Sequence, residues 1–405
     1  MKGYAGGRHN PVMRMSCATA ITRFRKPCPN EQGPLAGYGA PQLACSNQAT
    51  EEEVQHVCYC VTAHNAPLER RGVATEKPKG AEVLIRMTGA GVCHSDIHLW
   101  EGVYDLGSGN KMTLKDRGVT LPLIMGHEIT GEVVEGGPDA SIKSGESCIV
   151  YPWIGCGECV TCRRGEENLC AIKTRSMGVF APGGYAEYVL VPHERYCVAL
   201  GKLDPAEAAP LACSGVTTYS AIKKFGPRIK DEPIVIMGAG GLGHMALAVL
   251  RAMQGKGAIV VDIDPAKRKG ALDAGALAAV DGGAHDASKK IIDATGGGAT
   301  CVLDLVGASA TIGLGMASLK KGGEIVVVGL YGGELKLPLV YFPLRAMGIR
   351  GSYVGSLPDL KELVALAQNA KLEPIQVSRR KLSDANAALT DLKAGKVVGR
   401  IVLVP

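Results

Sequence analysis

The residues Gly238-Ala239-Gly240-Gly241-Leu242-Gly243 lie between a short apolar run, Ile234-Val-Ile-Met237, and an Ala-rich stretch with helical spacing, HMALAVLRAMQ. A glycine turn that joins a buried strand to a helix restricts this part of the chain to a parallel, doubly wound sheet. Gly238 permits the tight turn, Gly240 lets a pyrophosphate approach the backbone, and Gly243 allows helix and strand to pack closely. Gly241 opens the helix, whose N-terminus offers N–H groups and positive dipole to phosphates. In a chain with 54 glycines the motif alone is weak. Its setting strengthens it: Asp262 closes the next apolar run, where a carboxylate accepts hydrogen bonds from an adenosine ribose and repels a 2′-phosphate. This favours NAD. Lys267 and Arg268 lie just beyond and keep NADP as the alternative.

The alternation continues through AIVVDID (258–264), CVLDLVG (301–307) and EIVVVGL (324–330). Before about residue 214 the texture differs. CYCVTA, AEVLIRMTGAGV, GEVVEG, SCIVYPW and YAEYVLV are separated by Gly/Pro turns, as in an antiparallel, barrel-like domain. A last segment from Tyr353, with helix-like LKELVALAQNAK and strand-like GRIVLVP, is expected to return to that first domain. The 405 residues exceed one ordinary core. The expected division is 57–213 with 353–405 as one domain and 214–352 as the dinucleotide domain. Residues 1–56 are rich in Gly, Pro, Asn and Gln without period, and read as a poorly ordered extension. Their basic residues, with no acid before Glu31, faintly resemble a transit peptide; a dispensable extension is the stronger reading.

A net charge of +6 without a dense basic stripe implies no nucleic-acid partner. No apolar stretch is long enough to span a membrane, so no membrane partner is expected. Fourteen cysteines in a chain this long suggest reduced, partly metal-bound thiols in the cytoplasm.

Four of those cysteines, Cys156, Cys159, Cys162 and Cys170, form GCGECVTCRRGEENLC. Cys-x-x-Cys steps let thiolates converge, and the fourth closes a tetrahedron around Zn²⁺ with no open position. Such a metal holds a lobe, here about 153–172; buried thiols or a disulfide are the plainer alternatives. Three further segments carry possible ligands: GVCHSDIH with Cys93, Ser95, Asp96 and His98; GHE with His127 and Glu128; and PLACSGVTTY with Cys213. Two thiolates and an imidazole leave one coordination position open. Each residue alone is more often ordinary packing. Their combination beside a dinucleotide fold carries the argument.

Over residues 57–405 the sequence resembles the zinc-dependent, medium-chain alcohol dehydrogenases. The resemblance rests on GVCHSD, GHEITGEVVEGGPDA, CGECVTCRRGEENLC, CSGVTTY and GAGGLG, in the family's order. It implies an α/β fold: a GroES-like antiparallel β-barrel catalytic domain plus a Rossmann doubly wound parallel-sheet coenzyme domain. By the same resemblance Cys93, His127 and Cys213 are catalytic zinc ligands, and Cys156, Cys159, Cys162 and Cys170 hold a structural zinc. Ser95 matches the hydroxyl that bonds substrate oxygen, and His98 the outer end of a proton relay. Glu128 matches an acid that can visit the metal, and Asp96 a carboxylate that orients the histidine ligand. Trp153 and Trp100 fall on the substrate pocket, Thr217 and Arg400 on cofactor contacts. Polyol dehydrogenase relatives carry a Glu at the position of Cys213, and zinc-free quinone reductases lack the cysteines, so both are disfavoured. The segment YDLGSGNKMTLKDRGVTLP resembles a loop of microbial tetrameric members, and a homodimer or homotetramer is implied. The implied reaction is reversible hydride transfer between a primary or secondary alcohol and NAD. The alternatives are an NADP-dependent aldehyde reductase and an inactive dinucleotide-binding structural or regulatory protein.

Overall fold

In the computed structural model, which describes residues 55–405, strand structure begins at Gln55 and not at residue 57. The expectations for residues 1–54 lie outside the described residues. Gln55–Val61 is flanked by Glu69–Ala74 and Leu123–Ile124 in a three-stranded antiparallel sheet. A larger sheet of seven strands runs in the order Cys197–Ala199, Ser147–Val150, Glu128–Gly136, Val83–Gly91, Arg400–Val404 and Val377–Lys381. Its seventh strand, Tyr188–Val191, pairs with the first half of Val83–Gly91, while Arg400–Val404 pairs with the second half. The sheet is antiparallel except at its end, where Val377–Lys381 runs parallel to Arg400–Val404. The C-terminal strands therefore join the sheet built by residues 83–199.

A third sheet has six parallel strands in the order Ala278–Asp281, Ala258–Asp262, Ile234–Met237, Ala299–Asp304, Leu319–Val327 and Gly348–Gly351. Counted along the chain this is 3-2-1-4-5-6, the doubly wound dinucleotide order, with its reversal at Ile234–Met237. All four residues of that central strand are buried, because helices cover both faces. The helix Gly241–Ala252 buries Met245, Leu247, Val249 and Leu250, each contributing about 1.5–3 kcal/mol by leaving water.

Candidate functional site

Cys93 follows the strand Val83–Gly91 and caps the helix His94–Glu101; its N–H donates to Oδ2 of Asp96 at 2.9 Å. Asp96 is fully buried and has two further partners. The Tyr185 hydroxyl donates to Oδ2 at 3.0 Å, and Oδ1 lies 3.2 Å from Nδ1 of His127, off the line of an ideal hydrogen bond. One carboxylate thus closes the helix and orients a ring brought in by the next strand, Glu128–Gly136. Nε2 of His127 is buried and has no protein partner. An imidazole tethered at Nδ1 and bare at Nε2 is presented as a ligand.

Cys213 caps the helix Ser214–Lys223, which packs beside Gly241–Ala252 where the two sheets meet. Its Sγ lies 3.8 Å from that of Cys93, and the ligand atoms of Cys93, His127 and Cys213 all fall within 4.8 Å of one another. Two thiolates on a tetrahedral zinc stand about 3.8 Å apart when each bond is about 2.3 Å. The donor set fits zinc. Hydrogen-bonded to the Cys213 thiol, and beside Arg400 and His127, Cys93 is held well below the ordinary thiol value. Burial pulls His127 down, but the Asp96 carboxylate and Cys93 together outweigh it and the net direction is well up.

Glu128 and Arg400 lie against this set. Both are buried, with Nη2 of Arg400 2.8 Å from Oε1 of Glu128. Burial pushes the Glu128 carboxyl up to about 8, with Arg400 pulling the other way. The carboxylate fits only because Gly91 has no side chain: a Cβ there would stand 2.8 Å from both Cβ and Cδ of Glu128. Trp153 stands beside the metal ligands, its ring centroid 5.3 Å from that of His127 and its Nε1–H donating to the Ala212 carbonyl. Trp100 is not brought there. Its indole N–H is tied to the Ala66 carbonyl and the Lys393 ammonium covers its ring, so it packs between Ala66 and Lys393.

The second metal set is built from local turns. Cys159 caps the short helix Val160–Arg163, and backbone N–H groups of Cys159 and Cys162 point at the sulfurs of Cys156 and Cys159 at 3.3 and 3.4 Å. Cys156, Cys159, Cys162 and Cys170 bring all four sulfurs within 4.8 Å of one another, which suits a closed tetrahedral zinc.

The dinucleotide residues assemble as the motif requires. Gly238 has φ +101°, a region open to glycine. A Cβ on Gly240 would meet nothing within 4 Å, leaving its backbone face open, whereas one on Gly243 would run into the Gly238 carbonyl. Gly241 begins the helix and approaches Nη1 of Arg400 at 4.0 Å from its would-be Cβ, so Arg400 bridges this turn and Glu128. Asp262 accepts N–H bonds from Ala239 (2.8 Å) and Asp264 (2.9 Å), which fixes it beside the glycine turn and leaves lone pairs for a diol. Lys267 lies in the helix Pro265–Asp273 with its N–H directed to Asp264. Arg268 is turned to the Asp262 carbonyl and the Asp281 carboxylate. The Thr217 hydroxyl, one helical turn past Cys213, is buried without a partner, as expected for a group that serves a ligand.

Ser95 and His98 share a face of the helix His94–Glu101. His98 sits between the rings of His94 (6.2 Å) and Tyr104 (4.9 Å), and burial holds it below its ordinary value. Sequence reasoning missed Tyr185, which holds Asp96, and Gly91, which makes room for Glu128. The only local signal was GGY at 183–185, a tyrosine set after paired glycines.

A dinucleotide-type sheet joined to a sheet that carries one open and one closed thiolate set defines a zinc-binding dehydrogenase. Comparison with known proteins agrees. Residues 79–202 match the alcohol dehydrogenase GroES-like domain, and residues 241–369 match the zinc-binding dehydrogenase domain. An NAD-dependent alcohol dehydrogenase of Sulfurisphaera tokodaii is 40% identical over 341 residues, 84% of this chain and 97% of that protein. A D-arabinose 1-dehydrogenase (NADP(+)) of Saccharolobus solfataricus is 37% identical over 84% of this chain and 95% of its own length. The crystal structure of an Aeropyrum pernix alcohol dehydrogenase superposes with a TM-score of 0.78 at 32% identity, covering 86% of this chain and all of that one. The chain belongs to the zinc-dependent medium-chain alcohol dehydrogenase family.

Proposed function

We propose that this protein is an NAD-dependent alcohol dehydrogenase that interconverts a primary or secondary alcohol with its aldehyde or ketone. The observation that carries this reading is the buried Cys93–His127–Cys213 set, with Nε2 of His127 lacking a protein partner beside a dinucleotide turn. Cys93, His127 and Cys213 would hold the catalytic zinc, and Cys156, Cys159, Cys162 and Cys170 a structural one. When bound, zinc supplies Lewis acidity toward the alcohol hydroxyl and NAD supplies the hydride acceptor. The chain's own residues do the rest. Asp96 keeps the Nε2 lone pair of His127 directed inward, and Tyr185 holds Asp96. The Ser95 hydroxyl takes the substrate proton and hands it outward to His98, which is neutral near neutral pH and can accept it. Glu128, paired with Arg400, adjusts the charge beside the thiolates. Trp153 walls the pocket, while Thr217, Arg400 and the Gly238–Gly243 turn position the nicotinamide and pyrophosphate.

The division of labour assigned here is a catalytic domain of residues 57–213 and 353–405 and a coenzyme domain of 214–352. Pairing of Arg400–Val404 with Val83–Gly91 supports it. The Asp262 carboxylate supports NAD over NADP, and Arg268, committed to Asp262 and Asp281, does not offset it. Initial rates with NADH and NADPH across a panel of short alcohols and aldehydes test the reading. Faster NADH-linked turnover is expected. Absence of turnover by zinc-replete protein would leave a catalytically silent dinucleotide-binding protein instead.

Two further points belong to the same reading. A four-thiolate site needs reduced cysteines, which supports a cytoplasmic location; no helix of the described residues is long and apolar enough to cross a membrane. The segment ending the parallel sheet exposes Leu339 (80%), Tyr331 (74%) and Leu344 (65%), which supports self-association as a homodimer or homotetramer. Sedimentation should give two or four chain masses; a monomer at micromolar concentration would refute it.

A further inference from the structure

Arg117 follows the hairpin Val103–Gly107/Asn110–Thr113, in a stretch without regular structure. Its guanidinium carbon lies 5.7 Å from the centroid of the Tyr104 ring and 5.8 Å from that of Phe180. The same guanidinium faces the phenols of Tyr104 and Tyr353. Each phenol leads back to the metal ligands. The Tyr353 ring stands edge-on to Trp153, 6.0 Å away, and Trp153 stands beside His127. Tyr104 lies tilted against His98, ring centroids 4.9 Å apart, on the helix that Cys93 caps. Trp153, Tyr353, Arg117, Tyr104 and His98 thus form a partial collar around the Cys93–His127–Cys213 set. Burial pushes both phenols up, yet Tyr353 keeps 41% of its surface exposed. Tyr353 thus packs against Trp153 on one side and meets solvent on the other.

The cation in this collar has no protein counter-charge. Among the described residues no carboxylate is paired with Arg117, although three acids lie nearby in sequence and a fourth, Glu334, packs against Gly107 of the hairpin. Asp116 is bound to the Thr113 hydroxyl at 2.6 Å, and Asp105 to the Gly107 N–H at 2.8 Å. Glu101 is paired with Lys393 at 2.7 Å, and Glu334 faces Lys336. Arg117 is exposed, and some of its N–H groups are shared with the Tyr104 and Tyr353 phenols; the planar guanidinium has five N–H donors, so its solvent side still matches a carboxylate. The rings beside it cover hydrocarbon. A ligand suited to this collar has a reacting carbinol at one end, an apolar middle and an anion at the other.

We propose that Arg117 is a specificity-determining residue, and that the preferred substrates are alcohols or aldehydes carrying a carboxylate remote from the reacting carbon. The inference rests on the alcohol dehydrogenase reading and deepens it. The reaction remains balanced as before: a hydroxy carboxylate and NAD⁺ give the oxo carboxylate, NADH and a proton. Arg117 takes no part in that exchange and acts only on which substrate is held.

The test compares kcat/KM for matched pairs, ω-hydroxyhexanoate against hexanol and para-hydroxymethylbenzoate against benzyl alcohol, with the zinc-replete enzyme and NAD⁺. The readout is the ratio within each pair, so a general loss of activity in a variant cancels. Wild type should favour the acid of at least one pair by about two- to fivefold, the worth of one partly exposed ion pair. Arg117→Leu should erase that preference, Arg117→Glu should reverse it, and Arg117→Lys should keep part of it. In wild type the ratio should fall as salt rises, because the pair is screened. This last measurement needs no variant to fold. A wild-type ratio near one, or one unchanged by Arg117→Leu or by salt, overturns the proposal while leaving the dehydrogenase reading intact. No turnover of any of the four compounds would sink both.

Discussion

Cys93→Ala should lower kcat/KM for an alcohol by about a thousandfold or more, while NADH binding followed by fluorescence stays near the wild-type value. The argument is geometric. Cys93 supplies one of three donor atoms lying within 4.8 Å of one another, and Cys213 is 3.8 Å away. Without it, a thiolate and an imidazole remain, too few to keep zinc against water. Metal assistance is worth several kcal/mol in the transition state, and each 1.36 kcal/mol is tenfold in rate. The dinucleotide turn belongs to the other sheet and loses no contact. On the two-zinc reading proposed above, metal content should fall by one zinc per chain, because the four-cysteine set shares no residue with the first. Undiminished turnover by Cys93→Ala would show that the ligands are misassigned.

Gly243→Ala should produce the opposite pattern, with both zinc ions retained and NADH affinity reduced about 10- to 100-fold. The added Cβ would fall 3.2 Å from the carbonyl carbon of Gly238 and nearer still to its oxygen. Both are backbone atoms at a turn with φ +101°, so neither yields like the end of a flexible side chain. The helix Gly241–Ala252 must move away from the strand Ile234–Met237, carrying its N-terminal N–H groups away from the pyrophosphate. Charge-assisted hydrogen bonds are worth about 1.5–3 kcal/mol each, which sets the expected range. Thermal stability should also fall, since overpacking costs about 1–3 kcal/mol. Wild-type affinity in this variant would mean that the cofactor does not lie against the turn.

What could be read from the sequence was written in contiguous stretches. GAGGLG carries its own strand and helix, and the spacing of Cys156, Cys159, Cys162 and Cys170 is itself the geometry of the lobe. IVIM marks a strand to the residue because it is buried on both faces. The edge strand Gly348–Gly351 went unseen for the opposite reason: three of its four residues are exposed, and GIRG has no apolar run. Ala278–Asp281 is short and Ala-rich, so it carries little strand character of its own. At the site, Asp96 and His127 could be named from motif likeness, but Tyr185 reaches Asp96 across 89 positions. No periodicity encodes such a meeting. Trp100 shows the converse: its place in the chain suggested the pocket, and Ala66 and Lys393 claimed its ring. The collar of Tyr104, Arg117 and Tyr353 depends on a hairpin and a loop whose paths are set by tertiary packing, not by local propensity.

The strand Arg400–Val404 lies between Val83–Gly91 and Val377–Lys381, and its first residue holds Glu128. On the ribosome it emerges only after every strand of the dinucleotide sheet has been made. A nascent chain can finish its parallel sheet early, but the earlier part waits with an unmatched edge along Ala90–Val92 and no partner for the buried Glu128. Pairing residues more than 300 positions apart is slow, because the loop must close before the contact rewards it. The surroundings of Cys93, His127 and Cys213 are therefore complete only once the strand Arg400–Val404 has paired with Val83–Gly91 and Arg400 has met Glu128.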